Sequence, residues 1–471
     1  MLFLPELILL GIGLIFFFVS LGRYNERFLR NLSTGLGAIV VAATFFSINQ
    51  RGDLFFHAYR IDLFSQFFKL LISGATLIVL IFCGRSPGIR PKVKGEYLLF
   101  LFISELGLML LVSSVELLSV FVSLELSSFA LYIMVPMRES SKGTLYQTEA
   151  GIKYLLFGIM ATAFMLFGMS YLFGLTGSTY LDRISTEIPY IIDQPATIIA
   201  LFMVMTGFFY KLAIVPFHFW VPDVYEGGAN ETISFIAAVP KIAAIALLLR
   251  LIKIIGTDGP LIVNLLLFCS IGSMFLGNLS ALVQKDLKRM LGYSGISHGG
   301  FILFGLLTFQ LDGYATALYY TIGYAVMSLA CFLVICTVAS DGQNLRIEEL
   351  TGLYKRSPLL AFTLTIALFA LAGIPPFVGF SGKLMLLISG LKQGYIIPVI
   401  LAAFNTALAL FYYLSVVRIT YCTDPQDQCR PIQTGFLNNA AALFLLFLIT
   451  GMGIMPTRIL ELAKQTILSI L

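Results

Sequence analysis

Residues Phe208–Glu226 read FFYKLAIVPFHFWVPDVYE, which sets a lysine, a proline and a histidine inside an otherwise apolar segment. A lysine at helix mid-depth costs roughly 2.5 to 3.5 kcal/mol on membrane-insertion scales, so one that persists faces a polar cavity or an acidic partner. Pro216, five residues after Lys211, removes a backbone donor. That breaks or kinks the helix and leaves free carbonyls beside the lysine. A broken helix carrying a lysine at membrane depth is the pattern of ion-translocating sites. The competing reading is a kinked helix whose lysine snorkels to an interface; Phe208, Phe209 and the apolar run from Leu201 argue against it.

Working outward, the surroundings are equally apolar. The chain has 471 residues, 58% hydrophobic and 12% charged, with a mean hydropathy of +0.93. These values lie far outside the soluble globular range and predict an all-α polytopic membrane protein. The net charge of +5 does not indicate nucleic acid, because the basic residues sit in short loops rather than in a patch. Cys83, Cys269, Cys331, Cys336, Cys422 and Cys429 form no CxxC pair, so neither zinc nor an iron–sulfur cluster is indicated; Cys422 and Cys429 share a loop. With only His57, His218 and His298, a haem ligand pair is not indicated either. The opening MLFLPELILLGIGLIFFFVS lacks a basic n-region and carries Glu6, which reads as a retained first helix.

Apolar runs of spanning length number fourteen, and Pro216 breaks the seventh. The run from Tyr97 to Pro136 must turn near Ser113, Ser114 and Glu116, so that Glu116 marks a boundary. The odd-numbered connections carry seventeen lysines and arginines and the even-numbered ones six. The positive-inside rule therefore puts the odd connections in the cytoplasm and both termini on the periplasmic side. No loop exceeds about twenty residues, which leaves no room for a soluble catalytic domain, and no GxGxxG or GxxxxGK[ST] follows a strand-like run. Energy must come from a partner or an ion gradient. AIVPFHF (Ala213 to Phe219) in the seventh run is echoed by AGIPPFVGF (Ala372 to Phe380) in the twelfth, each near a lysine, Lys211 and Lys383. A duplicated bundle with a break at corresponding positions is a transporter signature.

The intramembrane charges form a set. Glu125, in FVSLELSSFALYIMV, lies mid-helix and can pair with Lys211 if the fifth and seventh helices touch. Glu105 is also deep. Lys153 in GIKYLLFG, Lys241 in AAVPKIAAIALLL and Lys383 in GFSGKLMLL extend the row into helices six, eight and twelve. Lysine can take up and release a proton while water bridges the gaps. Unpaired in lipid, four such lysines would cost on the order of 10 kcal/mol, so they are expected to share a hydrated axis. The alternative for Lys153 is snorkelling from a nearby cytoplasmic loop. Lys69, seven residues after Asp62, is read as a structural partner of that acid, His218 as structural, and His298 as either structural or part of a proton path.

At KLAIVPFHFWVPDVYEG (Lys211 to Gly227), VPK (Val239 to Lys241), GNLSALVQKDLKRMLGYSGISHGGF (Gly277 to Phe301) and LAGIPPFVGFSGK (Leu371 to Lys383), the chain resembles the antiporter-like membrane subunits of respiratory complex I and related sodium/proton antiporters. The opening LPELILL, the fourteen runs and a lysine in the twelfth look most like the subunit N branch of NADH-quinone oxidoreductase. The resemblance implies two inverted five-helix repeats, helices 4–8 and 9–13, with helices 7 and 12 broken. It divides the chain into 1–94 (helices 1–3), 95–256 (first bundle), 257–422 (second bundle) and 423–471 (helix 14). It implies proton translocation through Glu125, Lys153, Lys211, Lys241, Lys383 and His298, with no cofactor in this chain and with quinone handled elsewhere in the complex. The implied setting is multi-pass in the bacterial inner membrane, in the lipid bilayer beside other membrane subunits of complex I. A sodium/proton antiporter subunit and a membrane-bound hydrogenase subunit share these motifs. Two departures from the family's usual residues stand out. Gly228, Ala229, Asn230 and Glu231 replace APTP after VYEG, and SGISH (Ser294 to His298) replaces SSIAH; both are expected to affect loop packing and to leave the charged row untouched.

Overall fold

The computed structural model describes residues 2–22, 24–82, 87–139, 145–256, 259–339, 341–422, 431–432 and 434–470, without the side chains of Leu145 and Lys253. Arg23, Arg85, Lys142, Arg430, Cys83 and Cys429, all used in the sequence reading, lie outside the described residues. The helices are α1 (Leu4–Ser20), α2 (Glu26–Phe46), α3 (Leu63–Phe82), α4 (Lys94–Ser113), α5 (Leu117–Met134), α6 (Leu145–Thr176), α7 (Leu181–Ile191), α8 (Pro195–Leu212), α9 (Trp220–Gly227) and α10 (Asn230–Ile255). Then follow α11 (Pro260–Ala281), α12 (Leu287–Leu306), α13 (Leu311–Val338), α14 (Leu353–Arg356), α15 (Pro358–Ala372), α16 (Val378–Lys392), α17 (Ile396–Cys422), α18 (Phe436–Ile454) and α19 (Pro456–Leu468). A short hairpin, β1 (Gly52–Leu54) with β2 (Tyr59–Ile61), links α2 to α3.

Among the described residues, eleven helices are long and apolar enough to cross a bilayer. The other three apolar runs of the sequence appear as α1, α12 and the pair α15–α16. Local chemistry sets the boundaries. Glu116 caps α5 by accepting from Ser119 N at 2.8 Å, which fixes the turn out of α4 at the residues expected. Asp286 caps α12 in the same way, through Arg289 N at 2.8 Å. Burial pushes the Asp286 carboxyl up from its ordinary range.

Because lipid tails are as apolar as leucine, helices in a bilayer associate through close packing rather than through a hydrophobic driving force. Glycines permit that approach: a Cβ at Gly107 would meet Ser127 N of α5 at 2.6 Å, and one at Gly277 would meet Ser297 N of α12 at 2.6 Å. The burial pattern separates inner from outer helices. The apolar span of α10 is 100% buried, whereas only 33% of the spans of α2, α17 and α18 is covered. A helix enclosed on all sides is where an ionisable side chain can be shielded from lipid, and α10 carries Lys241.

Beyond α9, which resumes after the seventh run's break, and the one-turn α14, two helices lie outside the expected set. α7 buries Leu181, Ile184 and Ile188 on one face and is too short and polar to span. α19 buries Ala463, Thr466 and Ile467, so the C-terminal segment holds two helices rather than one. The departures at 228–231 pack the connections: Lys288 Nζ donates to Gly228 O at 2.9 Å, Asn230 Nδ2 to Gln343 O at 3.0 Å and Gly88 N to Glu231 Oε1 at 3.0 Å.

Candidate functional site

Both breaks expected from proline occur. α8 ends at Leu212, where Ala213 takes a left-handed conformation (φ +60°), and the chain resumes as α9 only at Trp220. α15 ends at Ala372 before Gly373 (φ +91°), and α16 starts at Val378. Lys211 stands just before the first break and Lys383 just after the second. Lys211, Lys241, Lys383, Glu125 and His298 are all buried.

The first half is organised differently from the expected ion pair. α6 packs against both α5 and α8. Glu125 and Lys211 act on each other electrostatically but are not in contact. Among the described residues, neither Glu125 Oε1 nor Lys211 Nζ has a hydrogen-bond partner. The Thr162 hydroxyl of α6 lies beside the carboxylate. Below the break, Tyr210 Oη donates to Tyr154 O at 2.7 Å and Trp220 Nε1 to Tyr210 O at 3.0 Å, with Tyr132 edge-on to Tyr154 at 5.0 Å. Among the described residues, His218, buried against Phe219, has no partner for Nδ1, and Glu105, buried on α4, has none for Oε2.

Lys153 sits apart from the buried row. Its side chain is 38% exposed, and Nζ lies 2.6 Å from Asp223 Oδ2 and 2.7 Å from Glu149 Oε1. Arg289 joins Asp223 (3.6 Å) and Glu226 in the same cluster. Lys153 is therefore a paired lysine at the end of α6, not an unpaired one at depth. An aqueous carboxylate pair removes the desolvation cost that the apolar sequence around it implied.

The second half is a row of hydrogen-bonded and aromatic groups set between two lysines. Lys241 Nζ donates to Tyr324 Oη at 3.0 Å and approaches Gly295 O at 3.5 Å. The Tyr324 ring lies 5.0 Å from that of His298. His298 Nδ1 meets Tyr320 Oη at 2.6 Å and Nε2 meets Tyr413 Oη at 3.2 Å, so both ring nitrogens are engaged. His298 is within electrostatic reach of both Lys241 and Lys383. Lys383 Nζ turns back to the broken helix end, donating to Leu371 O (2.9 Å) and Ala372 O (3.2 Å), with the Phe301 ring 5.2 Å away. Among the described residues, Lys241 and Lys383 have no carboxylate at ion-pair distance. Between the halves, the Tyr225 hydroxyl of α9 has no partner among the described residues and lies within electrostatic reach of Tyr154 and Tyr324.

The SGISH departure does touch the row. A Cβ at Gly295 would lie 2.8 Å from Lys241 Nζ and 2.7 Å from Tyr324 Oη, so the glycine makes the space that the lysine occupies. Sequence reasoning also passed over Tyr320, Tyr324 and Tyr413. The available signal was the tyrosine-rich LYYTIGY of α13 (Leu318 to Tyr324), since a buried tyrosine hydroxyl needs a partner. Lys69 pairs with Glu6 and not with Asp62: Nζ stands 2.7 Å from Glu6 Oε1, while Asp62 holds Arg250 at 2.8 Å.

Residues 114–409 match the family described as NADH:quinone oxidoreductase/Mrp antiporter, TM. The chain is 45% identical over 468 residues to NADH-quinone oxidoreductase subunit N 2 of Opitutus terrae, covering 99% of this chain and 98% of that one. It is 36% identical over 437 residues to NADH-quinone oxidoreductase subunit N of Nitrosomonas europaea, covering 91% and 89%. It superposes on a chain of respiratory complex I from Thermus thermophilus with a TM-score of 0.84 at 27% identity, covering 98% and 99%. A chain of the Mrp complex from a Dietzia species shares the fold, with a TM-score of 0.86 at 20% identity, covering 98% and 95%. From its buried lysines to its broken helices, and along nearly its whole length, the chain belongs to the NADH-quinone oxidoreductase subunit N family of antiporter-like membrane subunits.

Proposed function

We propose that the chain is the proton-translocating membrane subunit of a bacterial NADH:quinone oxidoreductase, driven by quinone reduction in other subunits. One observation carries the reading: among the described residues Lys211, Lys241 and Lys383 are buried without ion pairs, and His298, held by tyrosines, lies within electrostatic reach of the second two. At roughly 2.5 to 3.5 kcal/mol each, three such lysines are a standing cost that a purely structural bundle has no reason to carry. Glu125, Lys211, Tyr225, Lys241, His298 and Lys383 are the groups we assign to the path. Lys153, with Asp223, is the charged cluster that biases its first half. A charge change in a neighbouring subunit alters the Glu125–Lys211 interaction, and a proton passes through the His298 row to Lys383.

The two breaks occupy equivalent places in two inverted five-helix repeats, α4–α10 and α11–α17, with α1–α3 and α18–α19 flanking them. The termini face the periplasm of the inner membrane, on the strength of the lysine and arginine count. The test is Lys211→Ala in membranes, with assembly verified by native electrophoresis. Quinone-linked proton pumping and NADH oxidation fall together, by about 10²-fold for the loss of a proton-transfer group; wild-type values for both would overturn the reading. Copurification with only membrane subunits would instead favour a gradient-driven antiporter, the second reading that the Mrp part of the family description raises.

A further inference from the structure

The proposed path leaves unused a charge pair buried as deeply as any group in it. Glu6 of α1 and Lys69 of α3 are both 0% exposed, with Lys69 Nζ 2.7 Å from Glu6 Oε1. The match is loose. Nζ is close by distance but not aligned as a hydrogen bond, and Glu6 Oε1 already accepts from Tyr59 Oη at 2.7 Å. Among the described residues, Glu6 Oε2 and both amide atoms of Gln66 are buried without partners. Buried polar atoms of this kind are where native proteins place ordered water.

These groups lie on a line. Asp62, Ser65, Gln66, Lys69, Ser73 and Thr76 recur at helical spacing, within an arc of about 100° of an otherwise apolar helix. All of those on α3 are buried. One end of the line is open: Asp62 and its partner Arg250 line an open pocket of about 120 Å³ with Arg60 and Asp182. The same helix packs against α10 and α13, the helices that carry Lys241 and Tyr324. A structural tie between α1 and α3 needs only the pair. It does not need the polar face, the orphan amide between Lys69 and Asp62, or the opening.

We propose that Glu6 and Lys69 form a second proton-holding site on the release side of the subunit, discharging along the α3 polar face into the Asp62–Arg250 pocket. The inference rests on the proton-translocating reading above. In the resting pair the proton is on the Lys69 ammonium and Glu6 is a carboxylate. Transfer from Nζ to Glu6 leaves a neutral amine and a neutral acid. The acid then loses its proton past Gln66 to water at Asp62, and the amine takes up the next proton, so one enters for each that leaves.

The experiment uses the assembled complex in membranes and compares Lys69→Arg with Lys383→Met. Arginine keeps the positive charge beside Glu6 but is not deprotonated in proteins. A structural tie survives Lys69→Arg, whereas a proton-holding site does not. The expected result is an assembled Lys69→Arg complex whose proton pumping falls by about 10²-fold. Wild-type pumping in that variant overturns the proposal. If Lys69→Arg does not assemble, the neutral pair Glu6→Gln with Lys69→Met gives the reading: loss of pumping in an assembled complex supports the site, and wild-type pumping overturns it. Failure of both variants to assemble shows that the fold depends on this particular pair of side chains rather than on proton exchange between them, and also overturns it. Lys383→Met separates the two claims, because normal pumping there would sink the proton-path reading itself, while its loss beside an active Lys69→Arg would sink only the second site.

Discussion

The two helix breaks solve one problem in two ways. At the first, Lys211 precedes the gap, its amine has no hydrogen-bond partner among the described residues, and the charge that answers it is Glu125, reached through electrostatics alone. At the second, Lys383 follows the gap and folds back onto the carbonyls of Leu371 and Ala372, with no carboxylate in reach among the described residues. A broken helix frees carbonyls in both places, but side chains lean toward the N-terminal end of their helix. Only a lysine placed after the gap is aimed back at them. Order in the chain thus makes the first lysine responsive to a distant charge and the second one anchored.

That contrast can be broken most directly with a double-mutant cycle on proton pumping. Lys383→Met alone should cost about 10²-fold, and Glu125→Gln should cost less. Glu125→Gln and Lys211→Met should couple by about 1–3 kcal/mol, whereas Glu125→Gln and Lys383→Met should add to within about 0.5 kcal/mol. Equal coupling in both cycles would mean that the anchored lysine also answers to the acid. A smaller effect is expected at Gly295. Gly295→Ser restores the family's usual residue but puts a Cβ where Lys241 Nζ and Tyr324 Oη now sit. Overpacking of this kind costs about 1–3 kcal/mol, and pumping should fall by about tenfold in an assembled complex. Unchanged pumping would show that Lys241 has room elsewhere.

The left-handed residues at the two gaps should respond with opposite sign. Gly373→Ala forces an L side chain into φ +91° with its Cβ 3.2 Å from Lys383 Cδ, and should lower stability by about 1–2 kcal/mol. Ala213→Gly relieves an alanine already held at φ +60° and should be neutral or stabilising by up to about 1 kcal/mol. Melting of the two purified variants in detergent reads both. A shift of the same sign at each site would remove the distinction between the gaps.

Much of this could be read from residue order. An apolar chain with prolines and lysines inside its spans has few ways to fold in a bilayer, since backbone polar groups there must be satisfied within helices. Both breaks and the turn at Glu116 followed from local chemistry. Pairing did not, because it is settled by which helices touch. The Glu125–Lys211 contact fails because α6 packs against both of their helices. Lys69 finds Glu6, on a different helix, rather than the nearby Asp62, because Arg250 of α10 takes that acid. α7, between two spans, and α19, after the last one, escaped notice because their apolar faces are narrow.

The sequence by itself determined the class of protein, the depth of Lys211, Lys241 and Lys383 and where its helices break, because each is a property of one segment and the solvent around it. Only the tertiary structure decided what each charge meets. Lys153 meets Asp223, Lys241 meets Tyr324 in the space left by Gly295, and Lys383 meets the carbonyls of its own broken helix. Inside an apolar bundle a partner is worth more than a position, and partners are chosen by helix packing that no single segment encodes.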